Sequence, residues 1–323
     1  GNSSYNNNIG SYFNSSKISN CKFVKTSGAG AGVELRNASV IRDCQFEGNT
    51  NVNNQIIYAV DDNVLIEDCK IRNNTSTRNS FIYLSNSKIN RCQITDNTVS
   101  SNVIESYNSK AKISNCLICD NTCPESYRTI YIYGGVSMIN CTVARNVTKN
   151  ANVIYMYNST LKNSIIVGNT TNSSYSNILA KEGSNTIQNN MFEGTFVDGN
   201  IDGSMTYAAF TDAENRDYSL SSNSYCINAG EDVADSLDLF GNARKQGEAV
   251  DMGAIESSHK KAPVLKSNEI VYVKSGSNGD GTSWESAFGD IPQAIFAASA
   301  DGKKHQIWVA AGTYYGDTTL STV

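Results

Sequence analysis

The residues best placed to do chemistry are Asp96, Asp120 and Arg145, which follow Cys92, Cys116 and Cys141 at one distance, four residues. Carboxylates beside a cation suit cleavage of a glycosidic bond, which needs paired acids or an acid with a basic proton acceptor. Glu67 and Asp68, with Arg42 and Asp43, form a second charged set. Neither set has a distinctive motif, and Asp in "TDN" and "CDN" is the expected turn residue before asparagine, so a structural role is the stronger expectation. Histidine occurs only at His259 and His305, which leaves no plausible Ser/His/Asp triad. "GSNGDGTSW" is rich in turn residues but opens no phosphate-binding helix. No cofactor and no metal are expected, because the cysteine spacing does not suit a metal site.

Tyrosine offers a different chemistry. Tyr58, Tyr83, Tyr131 and Tyr155 share one position of a repeat, with Glu34 and Glu105, and Tyr107, Tyr133 and Tyr157 share a second. Two outward stripes of tyrosine would make a carbohydrate-binding platform, with rings against the apolar faces of sugars and hydroxyls bonded to their rims. Packing of each ring on its neighbour explains the same pattern without a ligand.

The element that must position these residues is the repeat itself. Cys21, Cys44, Cys69, Cys92, Cys116 and Cys141 follow one another at intervals of 23, 25, 23, 24 and 25 residues, and Ser164 continues the series after 23. Three residues before each stands Ile18, Ile41, Ile66, Ile89, Ile113, Met138 or Leu161. Two after stands Phe23, Phe46, Ile71, Ile94, Ile118, Val143 or Ile166, and five after stands Thr26, Asn49, Asn74, Asn97, Asn121, Asn146 or Asn169. A further column runs through Val33, Ile57, Ile82, Ile104, Ile130, Ile154 and Ile178. Short alternating segments rich in β-branched and aromatic residues are strands, and nothing of helical period fits within a unit. Leucine-rich repeats lack a match here, and a propeller blade needs about twice the length. The expected fold is all-β, a right-handed parallel β-helix of about 24-residue coils, with a small C-terminal module. Seven or eight coils at the inter-strand spacing would measure roughly 35 to 40 Å.

Each column then becomes a ladder. The cysteines are expected as buried rungs, since free Cys behaves as a small hydrophobe and serine replaces it at position 164. Cys119 and Cys123, flanking the turn "CDNTC", could form a local disulfide if exposed, and Cys226 belongs to another region. The asparagines are expected to turn each coil in the left-handed conformation while bonding amide to amide along the stack.

"GAGAGVELRNASVIRDCQFEGNT" (28–50) resembles the repeats of polymorphic outer-membrane proteins and related bacterial surface β-helices, over about Ser15 to Phe196. Only "FEGN", Phe46 to Asn49, has the strict F-x-x-N ending; "IRNN", "ITDN", "ICDN", "VARN" and "IVGN" depart from it. "YSLSSNSYCINAG" and "DLFGNARKQGEAVDMGAIE" resemble the choice-of-anchor Q module that closes such β-helices, with Asp238, Arg244, Asp251 and Glu256 at its charged positions, although Cys226 and Asn228 depart from the pattern. An ion-paired closing turn is the expected role of these four, ahead of catalysis or Ca²⁺ binding. Segment 270–315 looks like the start of a β-helix, with a short helix at Ile291 to Ser299 that would plug an open end. The expected organisation is 1–200 coils, 201–256 closing module, 257–269 linker, and 270–323 cap-like segment and first coil.

The resemblance implies a secreted or cell-surface, outer-membrane-associated protein with an adhesin-like or polysaccharide-binding role, and a polysaccharide lyase or glycoside hydrolase as the alternative. Head-to-tail self-association is a further expectation, because an exposed sheet edge invites pairing. A net charge of −5, 18% charged residues and a pI near 5.2, without basic patches, speak against nucleic acid as a partner. No apolar run of membrane-spanning length is present.

Overall fold

The computed structural model describes residues 10–27, 32–51, 55–77, 80–125, 127–149, 151–171, 178–180, 183–193, 200–203, 205–222, 224–234, 236–258, 270–277, 279–299 and 305–314. Most of the glycine-rich lead-in (28–31), Phe196, His259 and nearly all of the linker (259–269) lie outside them.

The coils form a parallel β-helix. Four parallel ladders run through it: an eight-stranded sheet A from Ser11–Asn14 to Ile178–Ala180, an eight-stranded sheet B from Lys17–Ser19 to Thr186–Gln188, a nine-stranded sheet C from Lys22–Val24 to Ile201–Asp202, and a short five-stranded sheet D from Thr50–Asn51 to Val147–Thr148. Neighbouring strands come from successive coils in strict register, as in Ile82 beside Ile57 and Ile104, and Ile94 beside Ile71 and Ile118. Inward residues stack as the sequence columns require. Ile41, Ile66, Ile89, Ile113, Met138 and Leu161 are fully buried in one continuous core with Phe46, Ile71 and Ile94. Phe23 stacks on Phe46 with ring centroids 4.6 Å apart, close to the ~4.8 Å separation of paired strands.

The sharp corners are made by residues in the left-handed region. One set precedes each ladder cysteine: Asn20, Asp43, Asp68, Arg91, Asn115, Asn140 and Asn163 have φ of 49–55°. A second set, Lys25, Gly48, Asn73, Asp96, Asp120, Arg145 and Gly168, precedes each ladder residue from Thr26 to Asn169, with φ of 52–66°. The ladder asparagines therefore do not take the left-handed turn themselves, contrary to expectation. Their side chains are needed inside instead. The backbone N–H and the Nδ2–H of Asn74 both donate to Oδ1 of Asn97, at 3.0 and 2.9 Å, and Nδ2 also donates to the carbonyl of Phe46 one coil back. Asn97, Asn121 and Asn146 repeat this arrangement. Buried amides are thus fully bonded, the condition for tolerating them in a core.

The segment after the coils folds back along the outer face of sheet C. Leu117, Cys119 and Ala144 point out of that sheet and share a small core with Tyr218, Leu239, Ala254 and Ile255. Close approach requires Gly253 (φ +95°), where a Cβ would lie 2.7 Å from Ile165 Cδ1 and 2.8 Å from Thr142 Oγ1. Gly253 N–H donates to Asn163 O and Ala254 N–H to Thr142 Oγ1. Coils and closing segment accordingly form one compact unit, 1–220 with 226–258.

The second unit comprises 221–225 and 259–323. In it the strands Ile270–Val273 and Gln306–Val309 pair in parallel, and the helix Ile291–Ser299 packs on them through Val271, Val273, Phe288 and Ala294. No helix among the described residues is long and apolar enough to cross a membrane.

Candidate functional site

Sheet A turns alternate residues outward, so its register decides how the tyrosines meet. Glu34, Tyr58, Tyr83, Glu105, Tyr131 and Tyr155 occupy one outward column, and Ser85, Tyr107, Tyr133 and Tyr157 the next. Tyr58 stacks on Tyr83 at 5.0 Å, Tyr131 on Tyr155 at 4.7 Å and Tyr133 on Tyr157 at 4.6 Å, all within 18° of parallel. Glu105 interrupts the first column, and Tyr107 leans across the gap, tilted against Tyr83 at 5.7 Å and Tyr131 at 5.8 Å. Arg36 sits over Tyr58 and Arg128 over Tyr155, at 5.5 and 4.8 Å from the ring centroids.

This geometry changes what the stripes can offer. Rings that stack on one another along the coil axis cover each other's faces, so the expected docking of sugar faces on stacked tyrosine faces is not available across most of the ladder. What remains outward is a double row of ring edges and phenol hydroxyls. Tyr133 is the most open of the ladder rings, at 39% exposure. Glu105 accepts from Tyr107 Oη at 2.6 Å, from Ser80 Oγ and from Asn102 Nδ2. Burial and the bond to Glu105 hold the Tyr107 phenol above its usual pKa, and burial does the same for Tyr83 and Tyr131, so these three phenols stay protonated.

The Asp96, Asp120 and Arg145 stack is brought together on successive coils, but its groups are bonded to the closing segment. Arg145 Nε donates to Asp120 Oδ1 at 3.0 Å and its Nη1 to Glu214. Tyr218 Oη donates to Asp120 Oδ2 at 3.0 Å, and Arg216 binds Asp96. This set is a clasp that fastens residues 210–220 to the coils. Glu67 and Asp68 are likewise consumed by Arg42 and Arg91.

In the closing segment, Arg244 is buried against three carboxylates. Its Nη2 donates to the carbonyls of Asp251 and Gly253, and its Nε lies 3.7 Å from Glu256. Asp238 accepts from the N–H groups of Phe240, Asn242 and Glu256, and Asp251 from those of Asn228 and Ser257. The carboxylate oxygens are occupied by backbone donors. Burial, then the charge of Asp251, pushes the Glu256 carboxyl up to about 7.

None of the nine cysteines is in a disulfide, and Cys21 alone is exposed. Cys119 and Cys123 are buried, so the condition for a local disulfide is not met; burial raises both thiols, Cys123 to about 12. Cys116 and Cys119 form a Cys-x-x-Cys pair that the ladder spacing hides, yet Cys116 lies in the coil core and Cys119 in the cluster beneath the closing segment. No group of three or more His, Cys, Asp or Glu among the described residues is placed to hold a metal ion.

Sequence reasoning missed Arg128, Arg216, Tyr218 and the supports of Glu105. Ser80, Asn102 and Arg128 each stand two residues before the isoleucine column, an alignable position masked by variable loop length. Arg216 and Tyr218 lie far from their partners in sequence and outside the repeats. Residues 2–147 match the family described as the right handed beta helix region. No curated protein matches the chain. Together with the stacked strands, that match gives the coils the right-handed parallel β-helix fold.

Proposed function

We propose that this protein is a secreted or cell-surface β-helix, of the kind found on bacteria, that binds a polysaccharide along its tyrosine face and does not cleave it. The observation carrying this reading is the outer face of sheet A: Tyr58 to Tyr157 run across consecutive coils with phenol donors and the Glu105 acceptor in register. An extended polymer lying along the coils meets a similar set of donors at each ~4.8 Å step. Binding without cleavage is favoured because Asp96 and Asp120 are taken up by Arg216, Arg145 and Tyr218. Head-to-tail association of copies belongs to the same reading, and light scattering that finds only monomer removes that part.

Native affinity electrophoresis through gels holding neutral or acidic polysaccharides tests it. The wild type should be retarded, Tyr133→Ala/Tyr157→Ala should run free, and recovered polymer should keep its length. Equal mobility of wild type and variant in every gel overturns the reading. Shortened polymer would replace it with a lyase or hydrolase.

A further inference from the structure

Arginine in this protein is almost always spoken for. Arg36, Arg42, Arg72, Arg91, Arg145, Arg216 and Arg244 each pair with a carboxylate. Among the described residues Arg128 is the exception. Its guanidinium lies over the rings of Tyr155 and Tyr131, at 4.8 and 5.9 Å, and its Nε is buried with no hydrogen-bond acceptor. Glu105, one coil away beside Tyr131, makes no ion pair with it and instead accepts from Tyr107, Ser80 and Asn102.

A guanidinium stacked on an aromatic ring is held flat, with its in-plane N–H donors directed away from the ring. Stacking fixes its orientation before any ligand arrives, which lowers the entropy lost on binding. The planar fork matches the oxygens of a carboxylate or sulfate, and such charge-assisted bonds are about twice as strong as neutral ones. The cation also sits within the tyrosine face, so an anion bound there would be flanked by phenol donors.

We propose that Arg128 is the anion-recognition residue of the tyrosine face, and that the polymer bound there is an acidic polysaccharide carrying carboxylate or sulfate groups. This rests on the reading of that face as polysaccharide-binding. The local cation is what admits such a polymer to a chain whose net charge is −5.

The test compares the full chain with Arg128→Gln and Arg128→Lys in gels of polygalacturonate, its methyl ester, dextran sulfate and dextran, after melting curves confirm equal folding. The wild type should bind at least one acidic polymer roughly tenfold or more tightly than its neutral counterpart. Arg128→Gln should bring that ratio close to one through a loss of the acidic polymer's retardation. Arg128→Lys, which keeps charge but loses the fork, should recover only part of it. Preference for polygalacturonate alone identifies carboxylate as the anion, and preference for dextran sulfate alone identifies sulfate. Equal binding of acidic and neutral polymers overturns this inference and leaves polysaccharide binding standing, as does a preference that survives Arg128→Gln. No retardation by any polymer overturns both. If either variant fails to fold, the salt dependence of the wild type decides: an acidic preference that does not weaken as salt rises overturns the proposal.

Discussion

The outer faces of sheet A and sheet C belong to the same coils, yet one is open and the other is covered. On sheet C the early strands alternate, "KFV", "QFE", "KIR" and "QIT", and their outward residues are chiefly polar. From "LIC" onward, through "TVA" and "IIV", alternation stops and every residue is buried. That change marks where the closing segment lies. On sheet A the four strands from Ile82–Ser85 to Ile154–Tyr157 keep the alternation, and their outward positions hold tyrosines that bury one another only in part. A strand apolar on both faces has a cover, whereas a strand with aromatics on one face has a surface.

The largest test of this contrast removes the cover. Arg244→Ala leaves Asp238, Asp251 and Glu256 buried without their cation, a change that costs about 3–5 kcal/mol in comparable cases. Alkylation of Cys119, protected in the wild type, should become fast, while the near-ultraviolet circular dichroism of the tyrosine face stays unchanged. Slow Cys119 alkylation in the variant would mean that the apolar cluster alone holds the segment.

A change inside the coils should instead affect both faces alike. Asn121→Ala leaves the backbone carbonyl of Ile94 and the Oδ1 of Asn146 without their side-chain donor, inside the buried core. The expected loss is about 2–4 kcal/mol, read as a lower denaturant midpoint at which tyrosine and Cys119 signals change together. Separate transitions would show that the coils and their cover are not one cooperative unit.

Much of this was legible because a solenoid writes each structural role as a column. The isoleucine, cysteine and asparagine ladders are columns of one residue type, and their interior placement follows from repetition. The left-handed corner was misplaced by one residue because its column is mixed, Lys25, Gly48, Asn73, Asp96, Asp120, Arg145 and Gly168, beside a conspicuous run of asparagine. The tyrosine columns could be read from alternation. Their face-to-face stacking adds a side-chain geometry that spacing alone does not give. The clasp was legible only on its coil side, where Asp96, Asp120 and Arg145 share a column; Arg216 and Tyr218 obey no period, although the loss of alternation at Leu117 to Cys119 did announce a cover.

Acidity should tighten the cover and leave the open face untouched. The Glu256 carboxyl, raised to about 7 by burial and by Asp251, binds its proton more tightly folded than unfolded, where its pKa is near 4.5. Its stabilising contribution is therefore complete below about 4.5 and is lost as pH rises through about 7. Cys119 alkylation, corrected for thiol ionisation, should accelerate from pH 5 to 8, and Glu256→Gln should flatten that profile. A wild-type profile already flat would mean that Arg244 keeps Glu256 ionised throughout.

The smallest expected effect is on the open face itself. Tyr157→Ala removes one member of the 4.6 Å stack with Tyr133, and such aromatic pairs contribute about 0.5–1.5 kcal/mol beyond their buried area. Among the described residues of the coils and closing segment none lies over this column to be released, so the loss should stay local: Cys119 alkylation unchanged, the melting temperature slightly lower, and the face of Tyr133 newly uncovered. If tyrosine stacking is the sole purpose of the column, Tyr157→Phe should match the wild type in every respect, since the ring remains. If the hydroxyl row is the binding surface, Tyr157→Phe should keep wild-type stability and lose retardation in the polysaccharide gel, which separates packing from recognition at a single oxygen.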